Sequence, residues 1–385
     1  MAAGHFLPQI GGVERYIYNL SAALVEQGAD VAVVAAQPKG EALHETIDGI
    51  EVFRLPSLLL AGGRLPMPAP VSGALQKQYA AIRAWQPDIM VVHTHLFASN
   101  LAMTKLAGEL GIPCMLINHG SGYVAGGNPV VDAGLKFYER YLAAQIGRRV
   151  VAACGVSRSA AHWLSEFGIE TSEVMANGVN VAALPERSAA FREKIGVAPD
   201  SCLVAYAARL LIEKGADTLI TAFRKLAPPD AALVIAGDGP AMAQLKALAG
   251  GDARIRFLGA CAHPDVLALF GAADIMAYPS RYPEGQPTTV LEAGAMGCAV
   301  IATPRGGTAE LIDTPEVGLI VQDAAEFETA LARLLADADL RQSMGRKLRD
   351  KVHNEHDWRV IARRALERLQ ELRAGQKDQI REETR

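Results

Sequence analysis

The sequence predicts an α/β protein made of two doubly wound, Rossmann-like halves. Three observations point there. Aliphatic and β-branched runs are continuous rather than alternating, the pattern of parallel strands covered on both faces. These runs alternate with helical stretches, pause over the charged, proline-bearing segment VAALPERSAAFREKIGVAPD (181–200), and restart with CLVAYAARL (202–210). The length, 385 residues, exceeds the roughly 250–300 that a single core serves. The halves are expected at 1–181 and 182–356, followed by a helix at 357–375 and a charged, frayed tail at 376–385.

In the first half, Val13, Tyr16, Ile17, Leu20 and Leu24 recur at helical spacing, with Gly28 as a stop. VAVVAA (31–36) and IEVFRL (50–55) read as buried strands, and the Gly/Pro-rich LPSLLLAGGRLPMPAPVSG (55–73) as irregular. A helix at 74–85 leads into the strand IMVVHTH (89–95), and a helix near 100–109 ends at Gly111. PCMLINHG (113–120), VVAACGV (150–156) and TSEVMANGV (171–179) read as strands, with helices near 132–146 and 159–167. The second half reads as strands at 202–210, 232–237, 255–259, 274–280, 299–303 and 317–321 with helices between, and 181–200 as a linker with a short helix. Only MAAGHF precedes the turn at Pro8, where such a half opens on an apolar strand; the reading prefers a start codon placed too late over an abbreviated strand.

Composition excludes several classes. Net charge is −4 and no Lys/Arg stripe stands out, so nucleic acid is not an expected partner. No apolar run reaches the roughly 20 residues of a membrane span. The N-terminus lacks a basic region followed by an apolar run, so no signal peptide is expected and the predicted location is the cytoplasm. Cys114, Cys154, Cys202, Cys261 and Cys298 are scattered singly, as reduced core thiols would be.

The chemistry concentrates in YPEGQPTTVLEAGAMGCAVIA (282–302). Glu284 lies in a turn between Pro283 and Gly285. Pro287 suits a first helical position, and Thr288 and Thr289 can satisfy amides there. The N–H groups of residues 286–290 and the helix dipole then form an anion site, with Glu292 one turn inside. A diphosphate at the helix start would leave one acid near each end. Alone, a Glu-x7-Glu spacing is common by chance and reads as a solvated acid before an ordinary helix. Arg209 and Lys214, in ARLLIEKG, change the weighting: they follow the first strand of the second half, where open sheets bind ligands, and two cations can neutralise a diphosphate. GDGP (237–240) supplies a tight turn after the next strand. Asp337-Ala338-Asp339 has a metal-binding look, but it joins two helices with Asp339 as the expected N-cap. His93 and His95, two apart at a strand end, should face opposite ways. No metal site is predicted.

In order and spacing, ARLLIEKG, GDGP, IRFLG, YPS and EGQPTTVLEAGAMGCAVIATPRGGTAELI resemble the retaining family 4 glycosyltransferases of GT-B fold, two Rossmann-like domains facing a central cleft. PQIGGVERYIYNLSAAL, PDIMVVHTH, NHG and NGVN resemble the same family, so the likeness covers about residues 5–370. It implies transfer of a sugar from a nucleoside-diphosphate sugar to a hydroxyl acceptor with retention, by a front-face route in which the leaving diphosphate helps take the acceptor proton. No cofactor or metal is implied. By resemblance, Gly11 and Gly12 lie near the donor phosphates and acceptor, and His119 reaches the donor sugar. Arg209 and Lys214 grip the diphosphate, Glu284 lies by the transferred sugar, and Glu292 accepts from the ribose hydroxyls. Gln286, Pro287, Thr288 and Thr289 complete the donor site; family members often carry an aromatic residue where Gln286 stands. The tail helix should pack back on the first half with Trp358 as anchor, and the domains should close over the donor.

The acceptor, a lipid-linked or polysaccharide glycan by resemblance, should meet the first half. There 55–73 and HGSGYVAGGNPVVDAGLKFYERY (119–141) suit either contact with a lipid surface, on the inner face of a membrane, or a buried loop and core helix. Other readings stay open. One is a nucleotide-sugar epimerase; another is a phosphorylase, which needs a cofactor lysine site not identified here. A dinucleotide oxidoreductase wants a Gly-x-Gly-x-x-Gly that Gly11-Gly12 does not supply. A non-catalytic two-domain sugar- or nucleotide-binding protein would normally be exported.

Overall fold

A computed structural model describes the chain except residues 10, 61–64, 70, 71, 124–127, 188, 189, 227, 384 and 385; of 377–383 only the helical backbone is described. Parts of the two acceptor-side stretches singled out above, 61–64 with 70 and 71, and 124–127, thus lie outside the described residues, as does Ile10 of the PQIGG run. The chain divides into two compact units, Met1–Asn177 with Trp358–Arg385, and Gly178–Asp357.

The first unit contains α1 (Gly12–Glu26), β1 (Ala32–Ala36), β2 (His44–Ile47), β3 (Ile50–Leu55), β4 (Ser57–Leu60), β5 (Leu65–Pro68), α2 (Gly73–Trp85), β6 (Met90–His93), α3 (Ala98–Leu110), β7 (Cys114–Asn118), α4 (Pro129–Gly147), β8 (Ala152–Gly155) and α5 (Arg158–Trp163). Its strands pair as β2-β3-β1 and as β6-β7-β8. Met1–Ala3 joins the two sets. Ala2 bridges Val34 and Val92 in parallel, its N–H donates to Val91 O (2.7 Å), and its carbonyl accepts from His93 N (2.8 Å). Met1–Ala3 therefore occupies the strand position between β1 and β6. Along β1, Val33 and Ala35 enter the core shared with Tyr16, Ile17 and Leu20 of α1, while Ala32 and Val34 enter the opposite core with Leu106 of α3 and Ile146 of α4. Burial on both faces is the reason the run is continuous rather than alternating.

Three readings of this half change. His44–Ile47 is an antiparallel edge strand on β3, half exposed, with too little apolar content to announce itself. The stretch read as irregular forms the hairpin β4–β5, which leaves Leu58, Leu59 and Leu60 exposed. TSEVMANGV forms no strand: Val174 makes one bridge to Gly155, and Met175 N donates to Gly155 O (2.9 Å).

The second unit contains β9 (Cys202–Ala207), β10 (Ala231–Ala236), β11 (Ile255–Gly259), β12 (Ile275–Tyr278), β13 (Ala299–Ala302) and β14 (Leu319–Ile320). Its helices are α6 (Ala190–Lys194), α7 (Ala216–Leu226), α8 (Met242–Ala249), α9 (His263–Ala272), α10 (Thr288–Ala295), α11 (Thr308–Leu311), α12 (Ala324–Ala336) and α13 (Ala338–Glu355). The strands are parallel in the order β11-β10-β9-β12-β13-β14. The order reverses between β9 and β12, so the loops after these two strands diverge and open a crevice at their carboxyl ends.

The segment 181–200 is bound to this unit rather than free. Arg187 donates to the carbonyls of Gly271 (3.1 Å) and Ala273 (3.0 Å), and Arg192 to Ala272 O (2.9 Å) and the Asp274 carboxylate (2.8 Å). Its charges serve the open carbonyls at the end of α9. Asp337, not Asp339, caps α13, accepting from Leu340 N (2.9 Å); it ends α12 in extended backbone and so stands one residue before the new helix.

The last helix, α14 (Trp358–Glu383), belongs to the first unit, packs on α1, and continues past residue 376, where a frayed tail was expected. Trp358 is buried in the same core as Tyr16.

Gly215 links the two diverging loops. Its φ is +85°, and a Cβ there would stand 1.9 Å from Pro279 O. Gly215→Ala should therefore lower unfolding stability by at least about 2 kcal/mol in a urea titration. Gly251→Ala, at φ +74° in open space, should cost only the roughly 1–2 kcal/mol of a left-handed backbone. Equal losses in the two variants would contradict the close approach.

Candidate functional site

The crevice of the second unit is shaped first by backbone proximity. The loop after β9 carries Arg209 and Lys214. Gly237 and Gly239 of the GDGP turn let it approach closely: a Cβ on Gly237 would meet Ala208 O at 1.9 Å, and one on Gly239 would meet Leu210 O at 2.4 Å. Leu210 N donates to Asp238 O (2.9 Å), and Tyr206 OH to Lys214 O (3.0 Å). Arg281, in the loop after β12, pairs with Asp217 (3.0 Å) and donates to Ile212 O (2.6 Å), so the two loops are tied across the switch point.

Glu284 sits at the focus of these loops. One carboxylate oxygen, Oε1, accepts from Lys214 Nζ (2.5 Å), Tyr278 OH (2.8 Å) and Ser280 Oγ (3.0 Å). Glu284 is 8% exposed, and the Lys214 ammonium also lies 4.5 Å from the centre of the Tyr282 ring. Burial of both partners, with hydroxyl donors alongside, is the condition under which an ion pair is held firmly. Burial, and after it the Glu284 carboxylate and the Tyr206 phenol, push the Tyr278 phenol well above its ordinary value. From behind, Gly306 (φ +58°) approaches the Glu284 and Gly285 carbonyls too closely for a Cβ, and Gly307 N donates to Gly285 O (2.8 Å).

Buried Gln286 and Pro287 lead into α10, with Thr288 and Thr289 as its first two residues. Pro287 stands at the N-cap rather than inside the first turn, and among the described residues no side chain caps the helix. Thr288 and Thr289 do not take the capping role expected of them, because both already lie within the helix, past the cap position. The start of α10 keeps the positive end of its dipole uncompensated by a cap. Glu292 follows one turn later, 7% exposed, with Oε1 2.8 Å from His263 Nε2. Arg209 stands exposed at the start of its loop. This unit therefore gathers Lys214, Glu284, Gln286, Pro287, Thr288, Thr289 and Glu292 on one crevice wall. Sequence reasoning missed His263, Arg281 and Gly306; His263 follows a strand in GACAHP without any motif, and its role appears only through its contact.

In the first unit, Gly11 is the exposed N-cap of α1 and Gly12 its first residue, with no capping side chain among the described residues. His119 follows β7, and its Nε2 lies 3.1 Å from Nδ1 of His93, at the end of β6. The Tyr16 ring meets both imidazoles edge-on and is itself met by Trp358. Burial lowers the His119 pKa to about 3 and holds His93 well below its ordinary value, so both rings are neutral at physiological pH. Thr94, a β-branched residue at φ +67°, kinks the chain after His93 and is clamped by Asn100, whose amide donates to His93 O (2.6 Å) and Thr94 O (2.8 Å). Strand alternation would put residues two apart on the same face, contrary to the expectation from sequence; the two histidines separate because the kink at Thr94 turns His95 away, to Glu139 (2.9 Å). Asn118 fixes the turn before His119 by donating to Gly120 O and Ala160 O, both 2.8 Å. A cavity of about 500 Å³ in this unit, lined by Trp85, Asp88 and Arg373 among others, opens at the opposite ends of the strands and holds none of these residues.

Family models match both units of the chain. The model of the family described as Glycosyltransferase Family 4 matches residues 10–183, and that described as Glycosyl transferases group 1 matches residues 187–351. A GDP-mannose-dependent monoacylated alpha-(1-6)-phosphatidylinositol monomannoside mannosyltransferase of Corynebacterium glutamicum is 29% identical, covering 95% of this chain and 96% of the relative. Among solved structures, sucrose-phosphate synthase of Thermosynechococcus elongatus superposes with a TM-score of 0.74 at 21% identity, over 97% of this chain and 98% of that one. Anabaena HepE in complex with UDP gives 0.73 at 19%, over 96% and 98%. Matched by family models over both of its units and built on the fold of these structures, the chain belongs to the family 4 glycosyltransferases of GT-B fold.

Proposed function

We propose that the protein transfers a sugar, with retention of anomeric configuration and without a metal, from a nucleoside-diphosphate sugar to a hydroxyl of a lipid-linked or polysaccharide glycan. One observation carries the donor half of this reading: a buried Lys214–Glu284 pair and an acid on His263 flank a helix start that no described side chain caps. The diphosphate settles on the α10 amides, where the helix dipole favours an anion. Lys214 exchanges its carboxylate partner for phosphate, and Arg209 adds a second cation. Charge developing on the leaving diphosphate is stabilised by these groups, and the diphosphate itself takes the acceptor proton. Glu284, relieved of Lys214, keeps Tyr278 and Ser280 as donors and serves the transferred sugar. Glu292 accepts from the ribose hydroxyls, as an acidic residue does in dinucleotide sites. UDP in HepE and GDP-mannose in the Corynebacterium relative are the two donor types to compare.

The acceptor half rests on the surface of the first unit. Eight of the eleven exposed large hydrophobic side chains among the described residues lie there in two neighbouring segments: Leu58, Leu59, Leu60 and Met67 on β4–β5, and Val130, Val131, Phe137 and Tyr141 on α4, against Val151, Val174 and Tyr282 elsewhere. Both segments pack on α3. Val130, Gly134, Phe137 and Tyr141 form one helical stripe, flanked by exposed Lys136 and Arg140. An apolar stripe bordered by cations suits the interface of an anionic bilayer, where a lipid-linked acceptor resides. No described helix is long and apolar enough to cross a membrane, so the contact would be peripheral.

Two measurements test these halves. By calorimetry with EDTA present, one nucleoside diphosphate should bind; Glu292→Ala and Lys214→Ala should each weaken it about tenfold or more. Glu284→Gln should bind it at least as well while losing transfer activity, because Lys214 is released. Unchanged affinity in Lys214→Ala would contradict the donor site. In vesicle sedimentation at low salt, the protein should follow phosphatidylglycerol vesicles and be released by about 0.5 M salt or by the double change Leu59→Ser with Phe137→Ser. Protein that stays in the supernatant in every case would remove the membrane contact.

A further inference from the structure

The imidazole pair in the first unit determines which nitrogen of His119 carries its proton. His93 Nδ1 and His119 Nε2 are 3.1 Å apart, and a hydrogen bond between two neutral rings needs a single proton between these nitrogens. Its owner follows from the far side of His93. Nε2 of His93 is buried with no hydrogen-bond partner among the described residues. A buried N–H without an acceptor is the rarer and costlier orphan, whereas a bare lone pair is better tolerated. The ring proton of His93 therefore sits on Nδ1 and is donated to His119. Tyr16, edge-on to both rings, cannot reverse this, since its hydroxyl donates to Met175 O (3.0 Å).

With Nε2 of His119 accepting, the proton of that neutral ring is on Nδ1. We infer that His93 is a positioning residue that fixes His119 as its Nδ1–H tautomer, so that His119 offers a hydrogen-bond donor to an oxygen lone pair, such as a sugar hydroxyl, and does not act as a general base. The part concerning the sugar rests on the donor-site reading of His119 given above; the tautomer does not. The two kinked and clamped turns, at Thr94 with Asn100 and at Asn118, hold the rings in register for this bond.

The test is nitrogen-15 NMR of the histidine-labelled full chain without substrate, with His119 assigned by its loss in His119→Gln. In the native protein, His119 should show a protonated Nδ1 and a bare, hydrogen-bonded Nε2. His93→Leu should shift His119 toward the Nε2–H form, and His93→Asn, which keeps an amide donor near the place of Nδ1, should restore the native pattern. In a transfer assay, kcat should fall about tenfold in His93→Leu with little change in donor KM, and recover in His93→Asn. A protonated Nε2 on native His119, an unaltered pattern in His93→Leu, or an unaltered kcat despite a shifted pattern would each overturn the inference. Absence of any transfer activity in the native chain would count against the proposed function instead, because the NMR readout needs no substrate.

Discussion

One carboxylate oxygen organises the second unit. Glu284 Oε1 accepts from Lys214, Tyr278 and Ser280, groups from the loop after β9 and from the end of β12. A buried carboxylate with its cation removed costs several kcal/mol, on the order of 3–5. The fold therefore places both loops where the charges can meet: Gly215 against Pro279, Gly237 and Gly239 against the β9 loop, and Gly306 behind Glu284 are all positions where only hydrogen fits. In the proposed function a diphosphate would offer Lys214 a stronger anion, so the interaction that holds the two loops together is the one the donor would replace.

The topology explains why this happens at one place. Reversal of strand order between β9 and β12 makes adjacent loops diverge, and α10 starts in the gap. Several helix starts are closed by side chains: Ser72, Asn128, Ser157, Asp323 and Asp337 each accept from amides of their own helices, whereas α3, α8, α9 and α11 have no cap from the residue at the N-cap. The helix starts at Pro287 and Gly11, both at positions expected to meet the donor, carry no such cap among the described residues. A helix left open where a phosphate binds retains its dipole for the ligand.

Much of this was legible in the sequence because the relevant signals are local. Buried parallel strands of β9 to β13 announce themselves as unbroken aliphatic runs, and Glu284, Glu292, Arg209 and Lys214 stand at strand and helix ends that such runs define. What stayed hidden depends on distance in space. His263 is identified only by its contact with Glu292, 29 residues away, and the pairing of His93 with His119 by a bond between neighbouring strands. Met1–Ala3 is too short for any periodicity, and takes its strand conformation from Val34 and Val92 on either side. The hairpin of β4 and β5 was concealed because its leucines sit in a Gly/Pro-rich run that reads as irregular rather than as paired strands. Pro287 shows the limit of cap rules: the residue type was right for a helix start, but its place one residue earlier decides that the amides stay open.

The most direct measurement is a crystal structure with a bound nucleoside diphosphate, UDP or GDP according to which one binds. The phosphates should lie on the first amides of α10, with Lys214 Nζ moved from Glu284 to a phosphate oxygen and the ribose hydroxyls on Glu292. A nucleotide bound away from α10, with the Lys214–Glu284 pair intact, would contradict this placement.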